Sequence, residues 1–328
     1  MDTFKALWIE EKDGEYSLGI SRRKRDDLPP GEVTIRVRYS CLNYKDALSA
    51  SGSPGVTRSY PHTPGIDAAG EVVSCDDDAF SPGDQVVVTG WDLGMNTSGG
   101  LSQMIRVPLA WVLPLPRGLS ARTIMIYGTA GLTAALSVDV LSWTVAPTDG
   151  DVLVSGASGG VGSVAVALLS RLGYAVTAVT GKPEARDFLK TLGARDFMTR
   201  QEAEEGSDRP ILKGRWAGVV DTVGGNILSA AVKGCLPGGV VTCCGNAASA
   251  DLDLTVFPFI LRGVTLKGID SQHCPPSLRT RMWEQLAGLW RLPGVEETVR
   301  EISLEEAGPV LEGMIRGEAM GRTLVRID

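Results

Sequence analysis

Histidine is nearly absent from this chain of 328 residues, which has only His62 and His273. The six cysteines (Cys41, Cys75, Cys235, Cys243, Cys244 and Cys274) are scattered, and none falls between positions 75 and 235. Neither a closely spaced cysteine set for structural zinc nor a Cys/His set for catalytic zinc can be assembled from local sequence. In a chain without secretory features such thiols read as free, not as a disulfide framework. Cys243 and Cys244 are adjacent, so a strand would point them to opposite faces, and they are expected as core thiols. A signal peptide is missing too: Met1-Asp2-Thr3-Phe4-Lys5 leads into charged residues instead of an apolar run. No uninterrupted apolar run reads as long enough to span a membrane, so no membrane partner and a cytoplasmic location are expected. Positive charge is in deficit, 32 Lys and Arg against 39 Asp and Glu for a net charge of -7, which argues against a nucleic-acid partner. The one basic run, Arg22-Arg23-Lys24-Arg25, is offset by Asp26 and Asp27 and reads as a solvated loop. Repeats and low-complexity tracts are also lacking.

Glycine, in contrast, is plentiful where it carries chemistry. Residues 151 to 163 read D-V-L-V-S-G-A-S-G-G-V-G-S, an apolar run that breaks into a glycine turn and then a helical pattern. A strand, a tight turn and a helix in that order make a dinucleotide pyrophosphate site. Gly156, Gly159, Gly160 and Gly162 let the backbone approach two phosphates, and the free N–H groups of the helix start meet their charge. Ser158 and Val161 belong to the same turn. A second apolar strand follows at Gly173 to Thr180, where an NAD site usually ends in an acid that binds the adenosine ribose. Here it ends Thr180-Gly181-Lys182. A carboxylate would repel a 2′-phosphate, whereas a hydroxyl, an open backbone and a lysine would bind it, so the cofactor is expected to be NADPH. Arg200, after the strand-like Asp196-Phe197-Met198, closes the same expected pocket.

The hydrophobic content of 43% suffices for large cores, and the length suggests two domains. Residues 1 to 123 carry short strand-like runs (33–39, 70–74, 85–89, 105–107) between Pro and Gly turns, as in a small β-barrel-like domain. Residues 124 to 262 alternate strand and helix patterns, the mark of a doubly wound parallel sheet. The stretch 263–328, with an amphipathic segment at 277–289 and a closing strand at 322–327, is expected to return and complete the first domain. The fold class is therefore α/β.

Together these segments resemble the medium-chain dehydrogenase/reductase superfamily, in its zinc-free quinone oxidoreductase-like branch, over essentially the whole chain. Cys41-Leu42-Asn43-Tyr44-Lys45-Asp46-Ala47, the run Pro64 to Val72, Gly128 to Ala134 and the glycine turn occur in family order. More specific are Arg215 to Gly225 and Pro258 to Val264 leading to Gly268-Ile269-Asp270-Ser271, which look like the acrylyl-CoA reductase (NADPH) subfamily. The resemblance implies a GroES-like catalytic domain and a Rossmann domain, with Ser271 among the cofactor contacts. It implies a homodimer too, because 264–269 resembles the edge strand that pairs across a two-fold axis in relatives. Zinc-dependent members place a Cys where this chain has Asn43, and Gly-His-Glu where it has Gly65-Ile66-Asp67. No metal is therefore expected.

Without a Lewis acid, the expected reaction is one in which hydride transfer needs only hydrogen-bond help: reduction of a carbon–carbon double bond conjugated to a carbonyl. Hydride goes to the β-carbon, charge moves to the carbonyl oxygen, and a proton is added at the α-carbon. Acrylyl-CoA, another acyl-CoA or another enone is the expected substrate. A quinone or general enone reductase is the alternative within enzymes, and a non-catalytic NADPH-binding sensor the alternative outside them. Tyr44, Asn43 and Asp67 are the candidate catalytic residues. Tyr44 either donates its phenolic proton or packs as a wall on the cofactor ring, and Asn43 would orient substrate or carboxamide. Asp67, like Asp46, reads equally as a structural acid that fixes the loop. Arg322 either meets the acyl-CoA or is a surface arginine.

Overall fold

A computed structural model describes residues 2–328. In chain order its strands are β1 (Thr3–Lys12), β2 (Glu15–Lys24), β3 (Val33–Cys41), β4 (Asp67–Cys75), β5 (Gln85–Thr89), β6 (Met104–Val107), β7 (Leu113–Pro114), β8 (Asp151–Val154), β9 (Val176–Val179), β10 (Asp196–Met198), β11 (Trp216–Asp221), β12 (Cys235–Cys243), β13 (Thr265–Gly268), β14 (Val299–Ser303) and β15 (Arg322–Arg326). The helices are α1 (Tyr44–Ala50), α2 (Ala121–Ser142), α3 (Gly160–Arg171), α4 (Arg186–Thr191), α5 (Arg200–Glu204), α6 (Gly225–Lys233), α7 (Phe257–Arg262), α8 (Pro276–Ala287) and α9 (Ala307–Ile315). The chain divides into two units. One comprises Met1–Thr129, Gln272–Gly288 and Pro293–Asp328, the other Ala130–Ser271 and Leu289–Leu292.

The first unit is built on β3, whose apolar Val33, Ile35 and Val37 are buried while Arg36 and Arg38 alternate outward. Its sheet runs β14-β15-β3-β4-β5-β7, with β6 also on β3, and only the β14/β15 pair is parallel. Ile35, Val37, Ala68, Val86 and Val88 share a core with Leu311 of α9 and Val325 of β15. The last strand thus completes the domain begun by the first. The basic run is not a loop. Arg22, Arg23 and Lys24 lie in β2, paired with β1 through a hairpin that turns at Asp13 and Gly14, both with positive φ. Arg23 belongs there because its guanidinium lies 4.0 Å from the Trp8 ring centroid and 3.3 Å from Asp27.

In the second unit all strands are parallel, in the order β10-β9-β8-β11-β12-β13. The buried runs of β8, β9 and β11 are apolar without alternation, as strands covered on both faces require. Two boundaries move. β13 pairs with β12, so 263–271, expected in the first domain, belong to the nucleotide unit, and the return begins at Gln272. At the other end the first unit runs to Thr129 instead of 123. The reason is a kink in α2 at Gly128 (φ 53°, ψ -158°) that divides one apolar helix between two packing roles.

That helix corrects another expectation. Over 22 residues α2 is long and apolar enough to cross a membrane, but 83% of its apolar window is buried within the protein, as in a core helix. All six cysteines are free, as their scatter suggests. Cys243 and Cys244 have different surroundings, as adjacent residues at a strand end do: the Cys243 thiol reaches the Asp221 carboxylate and packs on the β11/α6 core, whereas the Cys244 thiol reaches the Asp221 carbonyl oxygen and Ser137 of α2.

Candidate active site

In the second unit the glycine turn forms as its sequence dictates. After β8 the backbone turns at Gly156 with φ 56°, and α3 starts at Gly160 with Gly159 as its N-cap. A Cβ at Gly162 would lie 2.3 Å from the Gly156 carbonyl oxygen, so the helix packs on the turn only without a side chain there. The first turn of α3 leaves the N–H groups around Gly160, Val161 and Gly162 without intrahelical acceptors. This is a cradle fitted to a pyrophosphate.

Sequence reasoning missed what holds the cradle. Asp221, at the end of β11, is fully buried and accepts from Ser155 Oγ at 2.7 Å and Gly224 N at 2.9 Å. Thr222 N in turn donates to Ser155 Oγ at 2.9 Å, which ties the crest of β11 to the start of the turn. Burial pushes the Asp221 carboxyl above the usual carboxylate range. The available signal was an acid closing the apolar run Val219-Val220.

The end of β9, where the sequence suggests a phosphate pocket, is held by hydrogen bonds. Thr180 Oγ1 donates to Ser158 Oγ at 3.0 Å and accepts from Lys182 N at 3.1 Å, so the end of β9 is pinned to the glycine turn. The neighbouring β10 ends in a capping box in which Thr199 N donates to Glu202 Oε2 and Glu202 N to Thr199 Oγ1. That box sets Arg200 as the first residue of α5, against Gly181: a Cβ at Gly181 would lie 2.6 Å from Arg200 Nε. Arg200 thus stands against Gly181, one residue from Lys182 in sequence, beside an acid-free strand end. Ser271 accepts from Thr133 Oγ1 at 2.7 Å in the same unit.

The first unit brings together Cys41, Asn43, Asp46, Asp67, Thr129 and Arg322. Asp67 is fully buried, with both carboxylate oxygens engaged: Thr129 N at 2.9 Å, Thr129 Oγ1 at 2.6 Å, Asn43 Nδ2 at 2.8 Å and Cys41 Sγ at 3.1 Å. With no exposure and four donors, Asp67 has the surroundings of a structural acid. Asn43 is engaged in the same cluster. Its Nδ2 donates to Asp67, and its Oδ1 accepts from Arg322 Nη1 at 3.3 Å, which leaves neither end to orient a substrate. Arg322 is neither a surface residue nor open to substrate, being 5% exposed with four acceptors around it. Tyr44, the first residue of α1, is 46% exposed, and among the described residues its hydroxyl has no hydrogen-bond partner.

Asp46 caps α1 from within. Its carboxylate accepts from Asn43 N at 2.7 Å, Gly65 N at 3.1 Å and Ile66 N at 2.9 Å. Burial pushes its carboxyl up to about 7, with the Asp67 charge adding to the rise and the backbone donors opposing it. The folded value exceeds the unfolded one of about 3.9, so folding favours the protonated form. The stability gained is fully present below the unfolded value and is lost as pH rises through about 7. The melting temperature is therefore expected to fall between pH ~4 and ~7 in the wild type and to level off above that. Asp46→Asn should melt lower but without that slope, and an unchanged slope in calorimetry would move the titration to another group.

The cluster does not fit a zinc ion. Asn43 and Ile66 stand where the resemblance places ligands in zinc-dependent members, neither of them a side chain that binds zinc, and the neighbouring Asp67 is saturated with donors. Arg322 Nη2 donates to Cys41 Sγ at 2.9 Å, and burial, then the Asp67 charge, pushes the Cys41 thiol well up, so it stays protonated. A guanidinium and a thiol proton occupy the electrostatic niche that a metal needs.

With this geometry in view, residues 29–117 match the alcohol dehydrogenase GroES-like domain, and residues 160–288 match the zinc-binding dehydrogenase domain. Acrylyl-CoA reductase AcuI of Ruegeria pomeroyi is 43% identical over 328 residues, 99% of each chain. The chain belongs to the medium-chain dehydrogenase/reductase family. Among solved structures, the yhdH oxidoreductase of Salmonella enterica in complex with NADP is 43% identical, with a TM-score of 0.96 over 99% of this chain and 100% of that one. YhfP of Bacillus subtilis, provisionally named a quinone oxidoreductase, is 42% identical over 99% of each chain. Its structure with NAD bound gives a TM-score of 0.96.

Proposed function

We propose that the protein is an NADPH-dependent reductase of the carbon–carbon double bond of acrylyl-CoA, forming propionyl-CoA. The observation that carries this reading is the 43% identity with an acrylyl-CoA reductase along 99% of both chains. The acid-free end of β9, followed by Lys182, and Arg200 against Gly181 support NADPH as the cofactor. When bound, NADPH supplies the hydride for the β-carbon. The glycine turn and the start of α3 hold the pyrophosphate, so binding free energy from the remote end of the dinucleotide orients the reactive end. Addition at the β-carbon sends negative charge to the thioester oxygen, where one neutral donor with a free proton is required. Tyr44 is assigned that task, since Asn43 and Asp67 are committed elsewhere. Its phenol can donate a hydrogen bond to the enolate oxygen or pass a proton toward the α-carbon.

Following NADPH absorbance with acrylyl-CoA, crotonyl-CoA and a quinone in parallel tests the reading. Turnover of the acyl-CoA substrates supports it. Turnover of quinone alone sinks it in favour of the quinone reductase suggested by the YhfP name, and binding of NADPH without turnover points to a sensor.

The phosphate pocket gives a sharper expectation. A charge-assisted contact contributes about 1.5–3 kcal/mol, so Lys182→Ala is expected to raise the KM for NADPH roughly 10- to 100-fold. The KM for NADH should hardly move, and turnover at saturation should stay near wild type because the contact is remote from the hydride. Arg200→Ala should act the same way, more weakly in proportion to its solvent exposure. Equal losses with both cofactors would mean that Lys182 serves the pyrophosphate or the fold.

The reading includes a cytoplasmic enzyme and a homodimer. Among the described residues β13 is the sheet edge, paired with β12, and beside it in sequence Val256, Ile260 and Leu261 of the α7 region are 63%, 69% and 65% exposed. An open edge next to apolar side chains is a hazard that pairing with a second copy removes. Light scattering at micromolar concentration should give the mass of two chains, and Ile260→Glu combined with Leu261→Glu should shift it toward one. A monomeric wild type with full activity would remove the dimer from the proposal.

A further inference from the structure

Arg322 is a buried guanidinium on the closing strand that the reaction chemistry does not use. It sits 5% exposed at the start of β15 and reaches four acceptors on two other segments: Ile126 O at 2.9 Å, Leu42 O at 3.2 Å, Asn43 Oδ1 at 3.3 Å and Cys41 Sγ at 2.9 Å. The segment 41–43 leads directly into Tyr44. The other carbonyl precedes the kink of α2, where a Cβ at Gly128 would lie 2.5 Å from Cys41 Sγ, 2.7 Å from Asp67 Oδ2 and 2.9 Å from Arg322 Nη2. The backbone of Gly128 is therefore pressed onto the guanidinium, thiol and carboxylate together. Such an approach is open only to glycine, and the left-handed φ of 53° suits glycine as well.

We propose that Arg322 is a positioning residue. Its guanidinium is a fixed internal cation, and it clamps the 41–43 segment so that Tyr44 is presented at a set angle. Burial of an arginine among neutral acceptors is costly unless a counter-charge is near. Asp67 provides that charge through Asn43 and Cys41, each of which touches both Asp67 and Arg322. The planar fork of arginine can serve the sulfur, the Leu42 carbonyl and the Ile126 carbonyl at once, which the point charge of a lysine cannot. This inference deepens the reading of Tyr44 given above and rests on it for its kinetic arm.

The test uses Arg322→Lys and Arg322→Ala in the full chain, assayed with NADPH and acrylyl-CoA, together with amide hydrogen exchange over residues 41–46. Misplacement of a reacting group by about 1 Å costs on the order of 10²-fold, so turnover should fall roughly 10- to 100-fold while the KM for NADPH changes less than about two-fold. Guanidinium ion at millimolar concentration should restore part of the turnover of Arg322→Ala, and ammonium should not. Exchange at 41–46 should speed up in both variants and slow again with guanidinium. Should Arg322→Ala fail to fold, Arg322→Lys carries the kinetic and exchange arms alone. A folded variant with wild-type turnover and unchanged exchange at 41–46 overturns the proposal, as does a loss spread equally over KM and turnover that guanidinium does not repair. A chelator should leave wild-type turnover intact; loss restored by zinc also overturns it. If the wild type does not reduce acrylyl-CoA at all, the functional reading fails by itself, and the exchange measurement still decides the role of Arg322.

Discussion

Tyr44→Phe is expected to lower turnover about 10²-fold, the usual scale for one hydrogen-bond donor or acid acting on developing charge. The side chain is 46% exposed and its hydroxyl has no partner among the described residues, so the substitution removes no interaction of the fold. Melting temperature should therefore stay unchanged, and the KM for NADPH should move little because the ring is retained. A solvent isotope effect on wild-type turnover that disappears in Tyr44→Phe would identify the phenol as proton donor. A turnover drop without that change would leave it as a hydrogen-bond donor to the enolate. If turnover is unaltered where chemistry limits the rate, Tyr44 is a wall for the cofactor and the proton comes from solvent.

The parts of this protein that sequence makes legible are those in which one local segment does one physical task. The glycine turn, the acid-free end of β9 and the parallel strands each follow from a short run, because backbone reach, local charge and burial on both faces are properties of neighbours in sequence. Arg200 could be placed beside Gly181 from spacing alone, since adjacent parallel strands end on one side of the sheet. The closing strand was visible as a strand, but the burial of its Arg322 was not. Its partners lie 196 to 281 positions away, and nothing near residue 322 signals a buried charge. The engagement of Asn43 and Asp67 within the fold was hidden for the same reason. An Asp in a family motif looks alike whether it is open to a substrate or saturated by four donors, and two of those donors come from Thr129. The β1/β2 hairpin was missed because its charged residues mask its strand pattern; cross-strand contacts such as Arg23 on Trp8 stabilise what composition reads as solvated. Asp221 was legible in principle, as an acid ending a buried apolar run, which reveals a structural carboxylate only once the turn it supports has been placed.

Asp67→Ala is expected to be the most destabilising single change in the cluster. Truncation removes the acceptor of Thr129 N, Thr129 Oγ1, Asn43 Nδ2 and Cys41 Sγ, and leaves the Arg322 guanidinium buried without its counter-charge. Removing one partner of a buried charged network costs about 3–5 kcal/mol, more than a lost neutral hydrogen bond at about 1 kcal/mol, because the remaining charge stays uncompensated. The contrast is with Glu71→Ala, which breaks the ion pair to Arg38 at 3.2 Å, where the two side chains are 31% and 44% exposed. Solvent screening limits that pair to about 0–1 kcal/mol. Urea unfolding followed by circular dichroism should therefore shift the transition strongly for Asp67→Ala and slightly for Glu71→Ala. Asp67→Asn should fall between them, since its amide keeps the shape and one acceptor but turns an N–H toward groups that are themselves donors. The comparison also decides the question that the sequence left open. If Asp67→Ala unfolds like Glu71→Ala while turnover collapses, Asp67 does chemistry after all; if stability falls first and Asp67→Asn retains turnover in proportion to the folded protein, the carboxylate holds Asn43, Cys41 and the kinked helix in place and takes no part in the reaction.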